Sequence, residues 1–369
     1  MDASLMLIGV AAFVLVHLAL HILNHDPTLN RPELAPLSLR SSLSAQRLQN
    51  SSATDIMSAI CSNNNSQLPL CNLMSAQEGD WVFGINIVQP SFSSCPNVRK
   101  NLKGLVSASS NTYSANSFQR ACWKPAESSH CRVLGLEEST LPVRTWLDGR
   151  RVLMIGDMAG MQNYIGLHCA LEGLFSYEAI SIESRFDATL VTGVLCSQSC
   201  SNETFFQQQI KLDSHGKCSQ CSKARRIEWF QDVTADVGVL VLNTGKEYLP
   251  SRGVDDPEAA FRSSLLLLRP VLRVLLKRGV IVVWTCLPSA SFSSFNLIAK
   301  DILQPVGVII IDVATTLEKR KAVDKRVSYV DGLMMANPAE TSNCELTAAF
   351  IFHSITLQIK QYQNEYNKS

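Results

Sequence analysis

Short apolar runs rich in β-branched residues constrain this chain more than any other feature. They are VLMIG (152–156), YEAISI (177–182), VGVLVL (237–242), VIVVWT (280–285) and VGVIIID (306–312). Runs of this kind suit strands buried on both faces of a parallel sheet, because neither face meets water. Helix-like stretches alternate with them, and the alternation predicts an open α/β layered fold. With 369 residues, 46% of them hydrophobic, the chain can bury a substantial core in one large domain, alone or with a smaller one. No internal repeat is found.

The helix boundaries are partly legible. Asp255-Asp256-Pro257 offers a cap followed by a proline at the first helical position, and Gly279 supplies the stop. Pro270 inside that stretch predicts a kink or break near Arg269. Residues 345–361 read as an amphipathic helix whose buried side is Leu346, Phe350, Ile351, Ile355 and Ile359.

The N-terminal part has a different character. Residues 5–23, LMLIGVAAFVLVHLALHIL, carry no charged side chain and match the length of a bilayer span. A cleaved signal peptide competes, but no basic region precedes the run and no small-x-small site follows it. The expectation is therefore a retained anchor over residues 1–24, with His17 and His21 tolerated inside it. Residues 25–60, rich in Ser, Asn, Leu and Pro, read as a flexible stem. Residues 61–135 contain Cys61, Cys71, Cys95, Cys122 and Cys131 with little periodicity, and read as an irregular region held by disulfides. The α/β domain is placed at 136–369.

Orientation rests on opposed signals. Arg31, Arg40 and Arg47 all follow the span, which by charge alone would leave the body in the cytosol. Against this stand 12 cysteines and Asn-x-Ser/Thr sequons at Asn50, Asn64, Asn202 and Asn367. The cysteines weigh more, and the body is placed in the secretory lumen as a single-pass type II protein. A net charge of +1 gives no electrostatic basis for nucleic acid as a partner, and Lys223-Ala224-Arg225-Arg226 reads as a solvated turn.

In such a sheet, ligands bind beyond the carboxyl ends of the strands. Gly156-Asp157-Met158 and Asn243-Thr244-Gly245 occupy two of those ends and form the best candidate site. The turn after Gly156 offers amides at a helix start, suited to an anion or a carbonyl oxygen, and Asn243 could add a side-chain donor.

At these residues the chain resembles the plant trichome-birefringence-like proteins, within the PC-esterase branch of the SGNH hydrolases. The resemblance runs from about residue 71 to the C-terminus. It rests on the order of GDWV (79–82), CWKPAESSHC (122–131), RTWLDGRRVLMIGD (144–157), VLVLNTG (239–245) and YVDGLM (329–334). It implies an SGNH-hydrolase-like (flavodoxin-like) α/β fold, an open mostly parallel sheet with helices on both faces, behind a disulfide-rich region and a transmembrane helix. It also implies a Golgi protein acting on a cell-wall glycan by O-acetyl transfer. The family's chemistry uses a serine in Gly-Asp-Ser and an Asp-x-x-His near the C-terminus. Gly156, Asp157 and Asp331 match, but Met158 stands at the serine, Met334 at the histidine and Met161 at the arginine that follows.

Acyl transfer through serine needs a hydroxyl and a base to take its proton. A thioether supplies neither, so the resemblance implies a pseudoenzyme or an acyltransferase with a rearranged site. His168 and His353 read as packed or surface histidines, and Ser289 and Ser291 as loop residues without a role. No cofactor is expected. One rival class remains: VLMIGDMAG resembles the Gly-x-x-x-Gly turn of S-adenosylmethionine-dependent methyltransferases through Gly156 and Gly160, with Glu183 the only acidic residue near the next strand's end. A second alternative concerns Cys196, Cys200, Cys218 and Cys221, spaced for zinc in a reducing compartment or for disulfides in an oxidising one.

Overall fold

The computed structural model describes residues 60–61, 67–83, 121–148, 150–156, 160, 163–164, 167, 182–186, 236–245, 248, 255–323 and 338–366. All of them fall in the compact unit Asp55–Ser369. The expected anchor, the stem before Ile60 and the sequons at Asn50, Asn64, Asn202 and Asn367 lie outside the described residues. Among the described residues, no helix is long and apolar enough to cross a membrane.

The centre is a five-stranded parallel sheet of β3 (Arg151–Gly156), β4 (Ile182–Phe186), β5 (Val237–Leu242), β6 (Ile281–Thr285) and β7 (Ile309–Ile311). Its order is β4-β3-β5-β6-β7, every pair parallel. Counted from the first sheet strand this is 2-1-3-4-5, a doubly wound arrangement. The apolar runs form strands because alternate side chains feed two separate cores. Val152, Met154, Val239, Val241, Ile281 and Val283 face one core. Leu153, Ile155, Leu240, Leu242, Val282 and Trp284 face the other.

One run differs from expectation. Of the strand expected over 177–182, residues 177–181 lie outside the described residues, and β4 is described over Ile182–Phe186. Among the described residues β4 pairs with β3 alone, so its sequence IESRF does not need a continuous apolar run. The run at 306–312 yields only Ile309–Ile311, because Gln304–Val306 forms a 3-10 turn. Gly307 closes that turn at φ +97, a conformation that favours glycine, with its N–H donating to Gln304 O.

Helices α3 (Pro257–Lys277) and α4 (Ser293–Leu303) cover one face through Phe261, Leu265, Leu268, Leu272, Phe295 and Ile302. Asp256 caps α3 as expected, accepting from the Ala259 N–H at 3.0 Å, and Gly279 follows its end at φ +77. The break expected near Arg269 is absent: α3 runs through Pro270 for all of its 21 residues. Pro270 and Leu266, whose carbonyl loses its helical donor, both lie on the exposed side. Water can replace that donor there, while Leu265, Leu268, Leu272 and Leu275 hold the helix against the sheet.

The other face is covered by the two ends of the described chain. A short helix α1 (Leu73–Gln77) leads into β1 (Gly79–Phe83), which pairs antiparallel with β2 (Ala121–Pro125), Trp81 opposite Trp123. Disulfides Cys61–Cys122 and Cys71–Cys131 staple this region. It is not held by disulfides alone, since Trp81 and Trp123 join the same core as Val152 and Phe350. Helix α2 (Leu136–Leu147) precedes β3, and α5 (Ala314–Val323) follows β7 and packs on β1.

The C-terminal helix α6 (Pro338–Tyr366) is longer than expected. Leu346, Phe350, Ile351, Ile355 and Ile359 are buried as anticipated, but so are Thr347, His353, Ser354 and Thr356. The reason is enclosure: α6 meets β6 and β7 as well as α1, α2 and β2. The Ser354 and Thr356 hydroxyls answer this by donating to Ile351 O and Phe352 O at 2.8 and 2.9 Å.

Candidate functional site

The chain crosses from β3 to β4 on one side and returns to β5 on the other, so the sheet changes winding direction between β3 and β5. Crevices form at such points, beyond the carboxyl ends of the strands. Gly156 ends β3, and Asn243-Thr244-Gly245 directly follows β5. The structure therefore brings Gly156 and Asn243 together. The Asn243 N–H donates to Ile155 O at 3.0 Å, extending the strand pairing by one residue.

Gly156 has no room for a side chain. A Cβ there would sit 2.9 Å from the backbone oxygen of Asn243 and 3.3 Å from Gly160 Cα. At Gly160, which is helical, a Cβ would lie 3.5 Å from Asn243 Cβ and 3.6 Å from its Oδ1. Both glycines of the Gly-x-x-x-Gly turn thus pack on Asn243. At Gly245 a Cβ would meet Leu287 Cδ1 at 2.3 Å.

Asn243 is 4% exposed and its amide orientation is set by a neighbour. Nδ2 donates to Thr285 O, at the end of β6, at 2.8 Å. One N–H of the donor expected to serve a ligand is thereby engaged, and Oδ1, an acceptor, is left over. Among the described residues Oδ1 has no hydrogen-bond partner, nor has the buried Thr244 Oγ1 beside it. Buried polar atoms without partners are uncommon and mark places where a protein holds water or a ligand.

The loop after β6 completes this edge. Asn296 on α4 grips Leu287 twice, accepting from its N–H at 2.9 Å and donating to its carbonyl at 2.8 Å. Ser289 and Ser291 hydrogen-bond to each other at 2.8 Å. Cys286 is a buried free thiol. Burial, and then the Asp312 carboxylate, push it far above the ordinary thiol range, which leaves it unreactive as a nucleophile.

His353 lies elsewhere, on α6 within the opposite core, where it joins α6 to residues 71 and 134. Asp157, Met158, Met161, His168, Asp331 and Met334 lie outside the described residues, as do Cys196, Cys200, Cys218 and Cys221. Among the described residues no group of His, Cys, Asp and Glu could hold a metal. Sequence reasoning missed Thr285 and Asn296, which fix the site's two loops. Their one available signal was position, just after or near the end of a strand. The chain matches no family model, no curated protein and no solved structure.

Proposed function

We propose that the chain is a lumenal, membrane-anchored protein on an SGNH-type α/β domain that binds a glycan or a partner enzyme and has lost acyl transfer. The observation that carries this reading is the pair of methionines, Met158 and Met334, inside blocks that otherwise keep the order of a polysaccharide O-acetyltransferase. Loss of both hydroxyl and base removes the reaction's two proton-handling groups. The sheet order supports the reading, since it sets Gly156 beside Asn243 at the switch point. The methyltransferase alternative is weakened at Gly156, where close packing on the Asn243 backbone calls for a glycine without a cofactor.

The test compares the natural chain with the double variant Met158→Ser/Met334→His. Acetate release from an aryl acetate, transfer to xylan-type oligosaccharides and binding of the same oligosaccharides are measured together. The expected result is no turnover by the natural chain, measurable turnover by the variant, and oligosaccharide binding by both. Turnover by the natural chain would instead identify an acyltransferase with a rearranged nucleophile.

A further inference from the structure

His353 is fully buried, yet both ring nitrogens are used. The Leu134 N–H donates to Nδ1 at 3.1 Å, which makes that nitrogen the acceptor. Nε2 then carries the proton and donates to Cys71 O at 2.8 Å. One neutral imidazole thus joins three separate pieces: α6, the connector into α2, and the segment that begins with Cys71.

That segment is a strap. Past Cys71, Gln77 Oε1 accepts from the Asp312 N–H at 2.9 Å, just beyond β7. Trp81 Nε1 then donates to Thr316 O at 2.8 Å on α5. At its start the Cys71 N–H donates to Arg132 O, and the Cys71–Cys131 disulfide adds a covalent tether. His353 is the strap's side-chain hydrogen bond to the C-terminal helix, beside the packing of α1 on α6.

Charge at this point is unwelcome. A second proton on the ring would occupy Nδ1 and set it donor against donor with Leu134. Arg132 on the connector and Lys360 on α6 add positive charge, while Glu138 on α2 opposes them and is tied to Arg132 at 2.7 Å. His130, next to Cys131, is the other histidine on this connector, which also carries Glu127. Burial, foremost, holds His353 below the ordinary histidine range.

We infer that His353 is a proton-sensitive clamp: protonation on mild acidification uncouples the disulfide-tethered strap from α6 while the parallel sheet stays closed. The sign follows from linkage. The opened strap exposes an ordinary histidine and binds the proton more readily than the closed one, so opening gains as pH falls through the ordinary value. Between pH 7.5 and 5.5 an open-state pKa of ~6.5 raises the opening constant by up to about tenfold.

Hydrogen exchange of the full chain tests this, with rates scaled for intrinsic pH dependence. Peptides covering 67–78 and 131–136 should lose up to about tenfold in protection between pH 7.5 and 5.5, with the bend near ~6.5; those from β5 and β6 should not. His353→Gln should abolish the loss, and His130→Gln should preserve it. Unchanged strap protection, a bend near the carboxylate range, or a loss abolished by His130→Gln would each overturn the clamp. Should His353→Gln not fold, the natural chain's curve and the His130→Gln control still decide.

Discussion

The two faces of the sheet are covered by different means. α3 and α4 lie on one face, and each belongs to a crossover between neighbouring strands, so their cover is local in sequence and almost wholly apolar. The opposite face, where α2 and α5 also pack, is closed by α6 and by the stapled strap, which come from distant parts of the chain. There the join is polar as well as apolar: Trp81 to Thr316, Gln77 to Asp312 and His353 to Cys71 and Leu134 span 219 to 282 residues. A local crossover needs little more than an apolar stripe, since its connection already limits where it can land. Segments far apart in sequence carry no such guidance, and directional hydrogen bonds and disulfides supply the register.

The largest effect should come from the apolar face. Phe261 is buried against Tyr248, Phe295 and Trp284, with ring centroids 5.2, 4.9 and 6.2 Å away. Phe261→Ala should cost about 3–5 kcal/mol in urea denaturation, from lost transfer energy and the cavity left behind. A cost under about 1 kcal/mol would mean that α3 collapses into the gap and the face is loosely packed.

On the strapped face the comparison predicts dependence on covalent closure. Cys71 and Cys131 are 60 residues apart, so their bond restricts a long loop in the unfolded chain. Cys71→Ser with Cys131→Ser should lower stability by about 2–4 kcal/mol. Hydrogen exchange should show the loss first in the strap, with α3 and α4 opening later. Equal loss on both faces would erase the distinction between them.

The same difference decides what could be read from the sequence. Strands β3, β5 and β6 were legible because burial on both faces leaves an unbroken apolar run, and α3 because its cap and stop are local. The residues of β4 past Ile182 were not legible, because a strand at the end of the sheet order need not be apolar throughout. The continuity of α3 through Pro270 was missed because it depends on which side of the helix faces water. At the candidate site, Gly156, Asn243 and Gly245 were legible as strand ends. The direction of the Asn243 amide was not, because a carbonyl 42 residues away fixes it.

Gly156 sits where the faces meet, and its substitution sharpens the contrast in a third way. The atom that a new Cβ would strike is the backbone oxygen of Asn243, which cannot rotate aside as a side chain can. Gly156→Ala should therefore cost about 1–3 kcal/mol through overpacking, with the same shift in denaturation midpoint at pH 7.5 and 5.5. An alanine accepted without loss would mean that β3 and β5 separate easily at their carboxyl ends, leaving the switch point open.

The smallest effect isolates a single directional contact of the strap. Trp81→Phe keeps an aromatic ring opposite Trp123 but deletes the indole N–H that reaches Thr316 O. The ring also lies under the Arg320 guanidinium, whose Cζ is 4.8 Å from its centroid and 5.0 Å from that of Phe83. Phenylalanine retains part of that cation–π attraction, so most of the loss falls on the hydrogen bond and its buried acceptor. The expected cost is about 1 kcal/mol, read as faster exchange in strap peptides with β5 and β6 unaffected. If the loss instead reached 3 kcal/mol or more on the scale of a core truncation, shape at Trp81 would outweigh direction. The strapped face would then be held by packing much as the other face is, and the contrast between them would reduce to where in the chain their covers originate.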